Sequence, residues 1–289
     1  MRGQVGVLLL RLMPAAAVSE MTIDANAPLG VFDSGVGGLT VVRALRELLP
    51  NESIIYLGDT ARVPYGSKSP DTIRRFAMED TQFLVGQGVK AVVVACNTAT
   101  AHALPQLQAT FRVPIFGVLE PGVEATLAGG CERVGIIGTA GTIRSHAYQH
   151  MLAMRKPDLQ IQALATPLLV PFVEEGWTEH PALEAVLMEY LKPMLDRGID
   201  TLVLACTHYP LLIPVLSRLL GDKVRLVDSA STCAHRVQVA LQQQGILRSV
   251  GEKPILEIYL TDLSEQAEGL AASFLGGEFG RVRKASLVG

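Results

Sequence analysis

A series of short, mostly apolar stretches rich in Val and Ile runs through the chain: "LGVF" from residue 29, "SIIYLG" from 53, "VKAVVVA" from 89, "VPIFGV" from 113, "VGIIG" from 134, "TLVLA" from 201, "VRLVD" from 224 and "ILEIYL" from 255. A strand with one face in water alternates apolar and polar residues, whereas continuous runs suit strands covered on both faces. Amphipathic stretches such as "LTVVRALRELL", "SPDTIRRFAMEDTQFLVGQG" and "PALEAVLMEYLKPMLDRG" separate them. Strand and helix therefore alternate, which predicts an α/β fold of mostly parallel sheets flanked by helices, with sites just beyond the carboxyl ends of strands. Ser69 followed by Pro70 reads as a helix cap and first residue, and Asp262 with Glu265 reads as a capping box.

A repeat narrows the fold further. "AVVVACNTATA" from residue 91 and "TLVLACTHYPLL" from 201 both run from a buried strand through Ala-Cys into polar residues and a helix, with the cysteines 206 − 96 = 110 positions apart. "LGVFDSGVGGLT" from 29 and "VGIIGTAGTIRS" from 134 form a second pair at an offset near 105. Two related halves, each presenting one cysteine at a strand end, would enclose a pseudo-symmetric cleft. The length of 289 residues accommodates two such domains.

With 49% hydrophobic and 18% charged residues and a net charge of −3, the chain reads as globular, and nucleic acid is disfavoured as its main ligand. No apolar run reaches the length of a membrane span. The first residues, "MRGQVGVLLLRLMPAAAVSEM", imitate a secretory signal, but Arg11 interrupts the apolar core and the four cysteines have no disulfide-framework spacing. Residues 1–27 are read instead as a poorly ordered N-terminal extension, with Met21 an alternative start.

Cys96 and Cys206 are the first candidates for chemistry. A cysteine where a strand gives way to a helix faces the positive end of that helix, which favours the thiolate. Either cysteine alone could be a small buried hydrophobe. Two at equivalent strand ends fit a reaction that needs one acid and one base on opposite faces of a substrate. Metal binding wants three or four ligands, and no C-x-x-C pair or compact Cys/His spacing is present.

His208, two residues after Cys206, could exchange a proton with it. Cys131 and Cys233 lack such a setting and read as structural. The stretch "VFDSGVGG" at 31–38 has neither the third glycine of a dinucleotide fingerprint nor a P-loop lysine. It leaves an acid, Asp33, and a hydroxyl, Ser34, at a strand end, with glycines that could bring the backbone close to a ligand or merely shape a tight turn. "YLGDTARVPYG" at 56–66 is a second loop after a strand. In "PFVEEGW" at 171–177 the paired acids read as a solvated face and Trp177 as a packing residue.

Taken together, "VFDSGVGGL", "PYG" at 64, "ACNTAT" at 95, "GTAGTI" at 138, "ACTHYPLL" at 205 and "VDSA" at 227 resemble the cofactor-independent glutamate racemases, in order and spacing, from about residue 28 onward. The resemblance implies two α/β domains facing each other across a cleft, the first formed by 28–119 plus 230–289 and the second by 120–229. It implies a cytoplasmic enzyme that interconverts L- and D-glutamate for peptidoglycan, with no cofactor, no metal and no membrane partner. Carried over motif by motif, Cys96 and Cys206 are the two acid/base residues, assisted by Asp33 and His208. Ser34, Tyr65, Gly66, Asn97, Thr98 and Thr207 match substrate-binding positions together with Asp33 and His208, and Glu174 matches a supporting acid. A homodimer and activation by a cell-wall precursor are compatible with it.

Three alternatives stay open on the residues alone: a racemase for aspartate or another amino acid, a thiol-based regulatory protein joining Cys96 to Cys206, and a Gly-rich phosphate-binding module.

Overall fold

The computed structural model describes residues 23–277 and 282–287 of the chain. The expected extension therefore lies, over residues 1–22, outside the described residues.

The apolar runs become strands and the amphipathic stretches helices. In the first part of the chain these are β1 (Leu29–Asp33), α1 (Leu39–Leu48), β2 (Ile54–Gly58), α2 (Pro70–Gly86), β3 (Ala91–Val94), α3 (Asn97–Thr110), β4 (Ile115–Gly117) and α4 (Leu119–Ala128). There follow β5 (Arg133–Gly138), α5 (Ala140–Arg144), α6 (Ala147–Arg155), β6 (Gln160–Ala165), α7 (Leu169–Glu174), α8 (Pro181–Leu195), β7 (Thr201–Ala205), α9 (Ile213–Leu220) and β8 (Arg225–Asp228). The described chain closes with α10 (Ser229–Gln243), β9 (Leu256–Leu260), α11 (Glu265–Leu275) and β10 (Val282–Lys284). Strands β1, β2 and β3 are buried throughout, as their apolar sequences require, with the closing Asp33 of β1 buried among them.

The strands form two parallel sheets, one in the order β10-β9-β2-β1-β3-β4 and the other in the order β6-β5-β7-β8. The inner order β2-β1-β3-β4 repeats as β6-β5-β7-β8. The register repeats too: Leu29 pairs with Ala91 in the first sheet and Val134 with Thr201 in the second, which are the two sequence offsets seen above. The internal duplication is thus a duplication of fold. The chain returns from the second sheet through α10, which buries Cys233, Ala234, Val237 and Leu241 and packs against both α1 and α4.

Local details refine these expectations. Ser69 caps α2 as read, its hydroxyl accepting from Thr72 N–H with Pro70 next, but α11 starts from Ser264, whose hydroxyl accepts from Ala267 N–H. Asp262 lies two residues before that cap, its backbone N–H donating to the Thr60 hydroxyl. Trp177 packs as read, at the surface: it is half-exposed and stacks on His180 at 4.3 Å between ring centroids. Strands β6 and β10 were not among the apolar runs. Both are edge strands, and β6 is only partly covered, so "QIQALA" tolerates two glutamines.

One buried ion pair ties the first sheet's start together. Lys90 Nζ lies 2.7 Å from Glu52, with the two side chains 0% and 1% exposed, and also donates to the carbonyls of Ala25 and Ile246. Glu52 accepts in turn from Arg248 N–H. Removing one partner of such a pair strands the other charge, so Lys90→Met should cost about 3–5 kcal/mol. Urea denaturation checks this, and a midpoint equal to the parent's would show the pair to be dispensable.

Candidate active site

Asp33 closes β1, Cys96 follows β3 and Cys206 follows β7, so the duplicated strands deliver the key side chains to their carboxyl ends. A cavity of about 460 Å³ lies where the two halves meet, lined among others by Ser34, Cys96, Thr98, Cys206, Thr207 and His208. The halves also touch directly around it: Thr40 Oγ1 donates to the Thr207 carbonyl at 2.9 Å, and the Thr98 and Thr139 hydroxyls are 2.8 Å apart.

Cys96 is itself the N-cap of α3, its sulfur accepting from Ala99 N–H at 3.4 Å and lying 3.8 Å from Ser34 Oγ. The sequence predicts a thiolate at the helix end. Burial outweighs the helix: it pushes the Cys96 thiol well up and the nearby Asp33 carboxylate adds to this, against the Ala99 and Ser34 hydrogen bonds.

Asp33 is buried, accepts from Gly38 N–H through Oδ2 at 2.9 Å, and has an Oδ1 with no hydrogen-bond partner among the described residues. Burial raises its pKa, while His208 and the N–H groups of Gly38, Ser34 and Gly35 pull the other way. It sits behind Ser34 rather than on the cavity wall.

On the other side Cys206 Sγ lies 3.9 Å from His208 Nδ1, and His208 Nε2 lies 2.9 Å from Glu174 Oε1 at the end of α7. Glu174, read from sequence first as a solvated acid, is thereby the group that orients the histidine. Burial alone would lower the His208 pKa; hydrogen bonds and charge from Cys206 and Glu174 override it and raise it to about 10. The imidazole is then protonated at neutral pH. A histidine raised in the fold stabilises the protein below its ordinary 6.5 and loses that contribution as the pH rises to about 10. The stability difference between the parent and His208→Gln should therefore be largest near pH 6.5 and shrink toward 10, as urea midpoints across that range will show. A difference independent of pH would contradict the assignment.

The glycines of the opening turn serve packing. A Cβ on Gly37 would fall 2.5 Å from the His208 ring and 2.6 Å from Thr207 Oγ1, and one on Gly38 would fall 2.5 Å from Asp33 Cβ. Of this turn only Ser34 lines the cavity. Gly37 and Gly38 thus admit the side chains of His208, Thr207 and Asp33.

Other expected ligands are partly engaged elsewhere. Tyr65 turns its hydroxyl away from the cavity to Asp59 and Asp80, so only the rest of the residue faces the site, next to Gly66. The Asn97 carboxamide accepts from Tyr148 and donates to Ser229, which leaves one N–H. Thr98 joins a hydroxyl cluster with Thr139 and Thr142. Thr207 remains on the wall beside Cys206. Thr139 was not singled out, although the repeat pointed to it: it stands 139 − 34 = 105 positions after Ser34, at the same strand end of the other half. Thr166 and Arg144 also line the cavity, and nothing in their local sequence marks them. Among the described residues no His, Cys, Asp or Glu group is arranged to hold a metal.

A sequence model of the Asp/Glu/Hydantoin racemases matches residues 38–237. A glutamate racemase of Geobacter metallireducens is 45% identical over 260 residues, 90% of this chain and 96% of that protein. The chain belongs to the Asp/Glu/Hydantoin racemase family. As such it is an amino-acid racemase, an isomerase. Among solved structures, glutamate racemase of Francisella tularensis in complex with D-glutamate superposes with a TM-score of 0.85 at 36% identity, covering 91% of the racemase described here and 98% of its own chain. The Escherichia coli glutamate racemase, solved with L-glutamate and the activator UDP-MurNAc-ala, gives a TM-score of 0.75 at 30% identity, covering 91% and 100%.

Proposed function

We propose that this racemase interconverts L- and D-glutamate by moving the α-proton between two cysteines, without a cofactor. The observation that carries the reading is that Cys96 and Cys206, at equivalent strand ends of two duplicated sheets, line a single cavity. A base on one wall and an acid on the other is the arrangement that inverts a carbon centre.

Removing the α-proton puts negative charge next to a carboxylate, and fixed donors must hold it. Ser34, Thr98, Thr139 and Thr207 carry hydroxyls on the cavity wall, and Asn97 has its spare N–H. With L-glutamate, Cys206 acts as base in its thiolate form, paired with the already protonated His208 that Glu174 orients. Cys96, held protonated by burial, is ready to donate on the opposite face. In the reverse direction Cys96 acts as base, with Asp33 as its neighbouring acceptor. The two ends thus differ in kind, a carboxylate behind one thiol and an imidazolium behind the other.

The strand membership of the two sheets supports taking 28–119 with 230–289 as one domain and 120–229 as the other. D-Glutamate for peptidoglycan, made in the cytoplasm, is the role this activity would serve. A homodimer and activation by a cell-wall precursor belong to the same proposal, and sedimentation with and without the precursor tests them. For the activity itself, L-glutamate incubated with purified protein and no cofactor should lose its circular dichroism, and aspartate should not. A stable signal from glutamate would remove the proposal.

A further inference from the structure

Behind the turn 63–67, on the side away from the cavity, lies a set of buried ionisable groups that proton transfer at the α-carbon does not use. The Tyr65 phenol oxygen is 2.5 Å from Asp59 Oδ2 and 2.8 Å from Asp80 Oδ2, and both carboxyl side chains are fully buried. A phenol has one hydrogen and can donate it once. Two carboxyl oxygens at hydrogen-bond distance from it therefore require a second hydrogen, carried by one of the acids.

The remaining contacts say which. Asp59 Oδ2 already accepts from Arg62 Nε at 2.6 Å, and its Oδ1 accepts from the Thr261 hydroxyl at 3.0 Å. Asp80 Oδ1 accepts from Arg62 Nη2 at 3.1 Å, while its Oδ2 meets only the phenol among the described residues. Asp80 Oδ2 is thus the place left for a proton. The charge balance agrees, because the three carboxyl groups of Asp59, Glu79 and Asp80 are faced by two guanidiniums at most, Arg62 and the exposed Arg75, which reaches only Glu79 at 4.0 Å. Burial pushes the Asp80 carboxyl well up, and Asp59 adds to this.

We propose that Asp80 is held as the neutral acid, and that the hydrogen-bonded chain Asp80–Tyr65–Asp59 it completes is a positioning device for the turn that faces the substrate. The proposal rests on the glutamate reading above, which puts the substrate in the cavity that this turn lines. The turn presents Val63, Pro64, Gly66 and Ser67 to the cavity and abuts the other half, where a Cβ on Gly66 would fall 2.7 Å from Thr139 Cβ. Tyr65 roots it from behind, next to Phe76, over whose ring the Arg62 guanidinium lies at 4.1 Å. Asp80, Tyr65 and Arg62 act through the turn and are positioning residues.

The test compares Asp80→Asn with Tyr65→Phe. Asparagine replaces a neutral acid atom for atom: its N–H donates to the phenol oxygen and its carbonyl accepts from Arg62. Asp80→Asn should keep kcat and KM for glutamate within about threefold of the parent, whereas Tyr65→Phe, which cuts the chain, should raise KM about tenfold with a smaller change in kcat. Equal damage from both variants would make Asp80 a charged partner of Arg62 and overturn the proposal. A Tyr65→Phe enzyme with lowered stability and unchanged KM would overturn the positioning role. If the parent does not turn over glutamate at all, it is the functional reading that fails. The proton is read independently from the carbon-13 resonance of the Asp80 carboxyl at neutral pH, which must be that of the neutral acid; an ionised signal contradicts the assignment.

Discussion

Cys96→Ser and Cys206→Ser should each lower kcat for racemisation by about 10³-fold or more, because each removes the group to which the proposed mechanism assigns the proton on its face. Serine keeps the shape nearly unchanged, so the folded state and glutamate binding should survive. Its hydroxyl, however, cannot be ionised at neutral pH by the neighbours present, whereas a thiol with a reference pKa of about 8.5 can be. The surviving cysteine gives the loss a signature. In Cys96→Ser, Cys206 can still remove the proton from L-glutamate, but the opposite face has no donor, so the carbon is reprotonated on the side it left. L-Glutamate should then slowly take up solvent deuterium without inverting. In Cys206→Ser the same should hold for D-glutamate. Proton NMR of the α-position in heavy water reads both outcomes, and racemisation at near-parental rates in either variant would show that the thiols are not the two bases.

Gly37→Ala should cost about 10²-fold in kcat while the protein stays folded, since misplacing a catalytic group by an ångström is enough for a loss of that size. The new Cβ would lie 2.5 Å from the His208 ring and 2.6 Å from the Thr207 hydroxyl. The ring cannot yield cheaply: Glu174 holds Nε2 at 2.9 Å, Phe274 meets it edge-on at 5.0 Å between centroids, and the residue is buried. Either the histidine leaves Cys206 or the two halves move apart, and both disable the second thiol. Gly35→Ala is the control on the same turn, because its nearest neighbour would be Val63 at an ordinary 3.4 Å. It should be close to the parent. Steady-state kinetics of the pair decide the point, and equal activity in both variants would contradict the packing role given to Gly37.

These two expectations also show where the sequence was informative. Buried strands announce themselves as continuous Val and Ile because parallel sheets are covered on both faces, and so β1, β3, β5 and β7 could be read directly, and with them the strand ends that carry Asp33, Cys96 and Cys206. The duplication then located the second cysteine from the first. Edge strands β6 and β10 escaped because partial exposure permits polar residues. The site's side-chain directions escaped for another reason. Tyr65 meets Asp80 fifteen positions away, Asn97 meets Ser229 across 132 positions, and Gly37 meets His208 from the other half. Such contacts are made by tertiary packing and leave no local pattern. The pull of a helix end on Cys96 could be read locally, but the depth of burial that reverses it could not.

The central claim, two thiols acting on opposite faces of one carbon, is tested most directly by the first molecules of product formed in heavy water. Starting from unlabelled L-glutamate, the D-glutamate made early should carry deuterium at the α-carbon, while the L-glutamate recovered at the same moment keeps its hydrogen. If early D-glutamate instead retains the original hydrogen, or if both isomers gain deuterium together from the start, a single group is carrying the proton across and the two-thiol account is wrong.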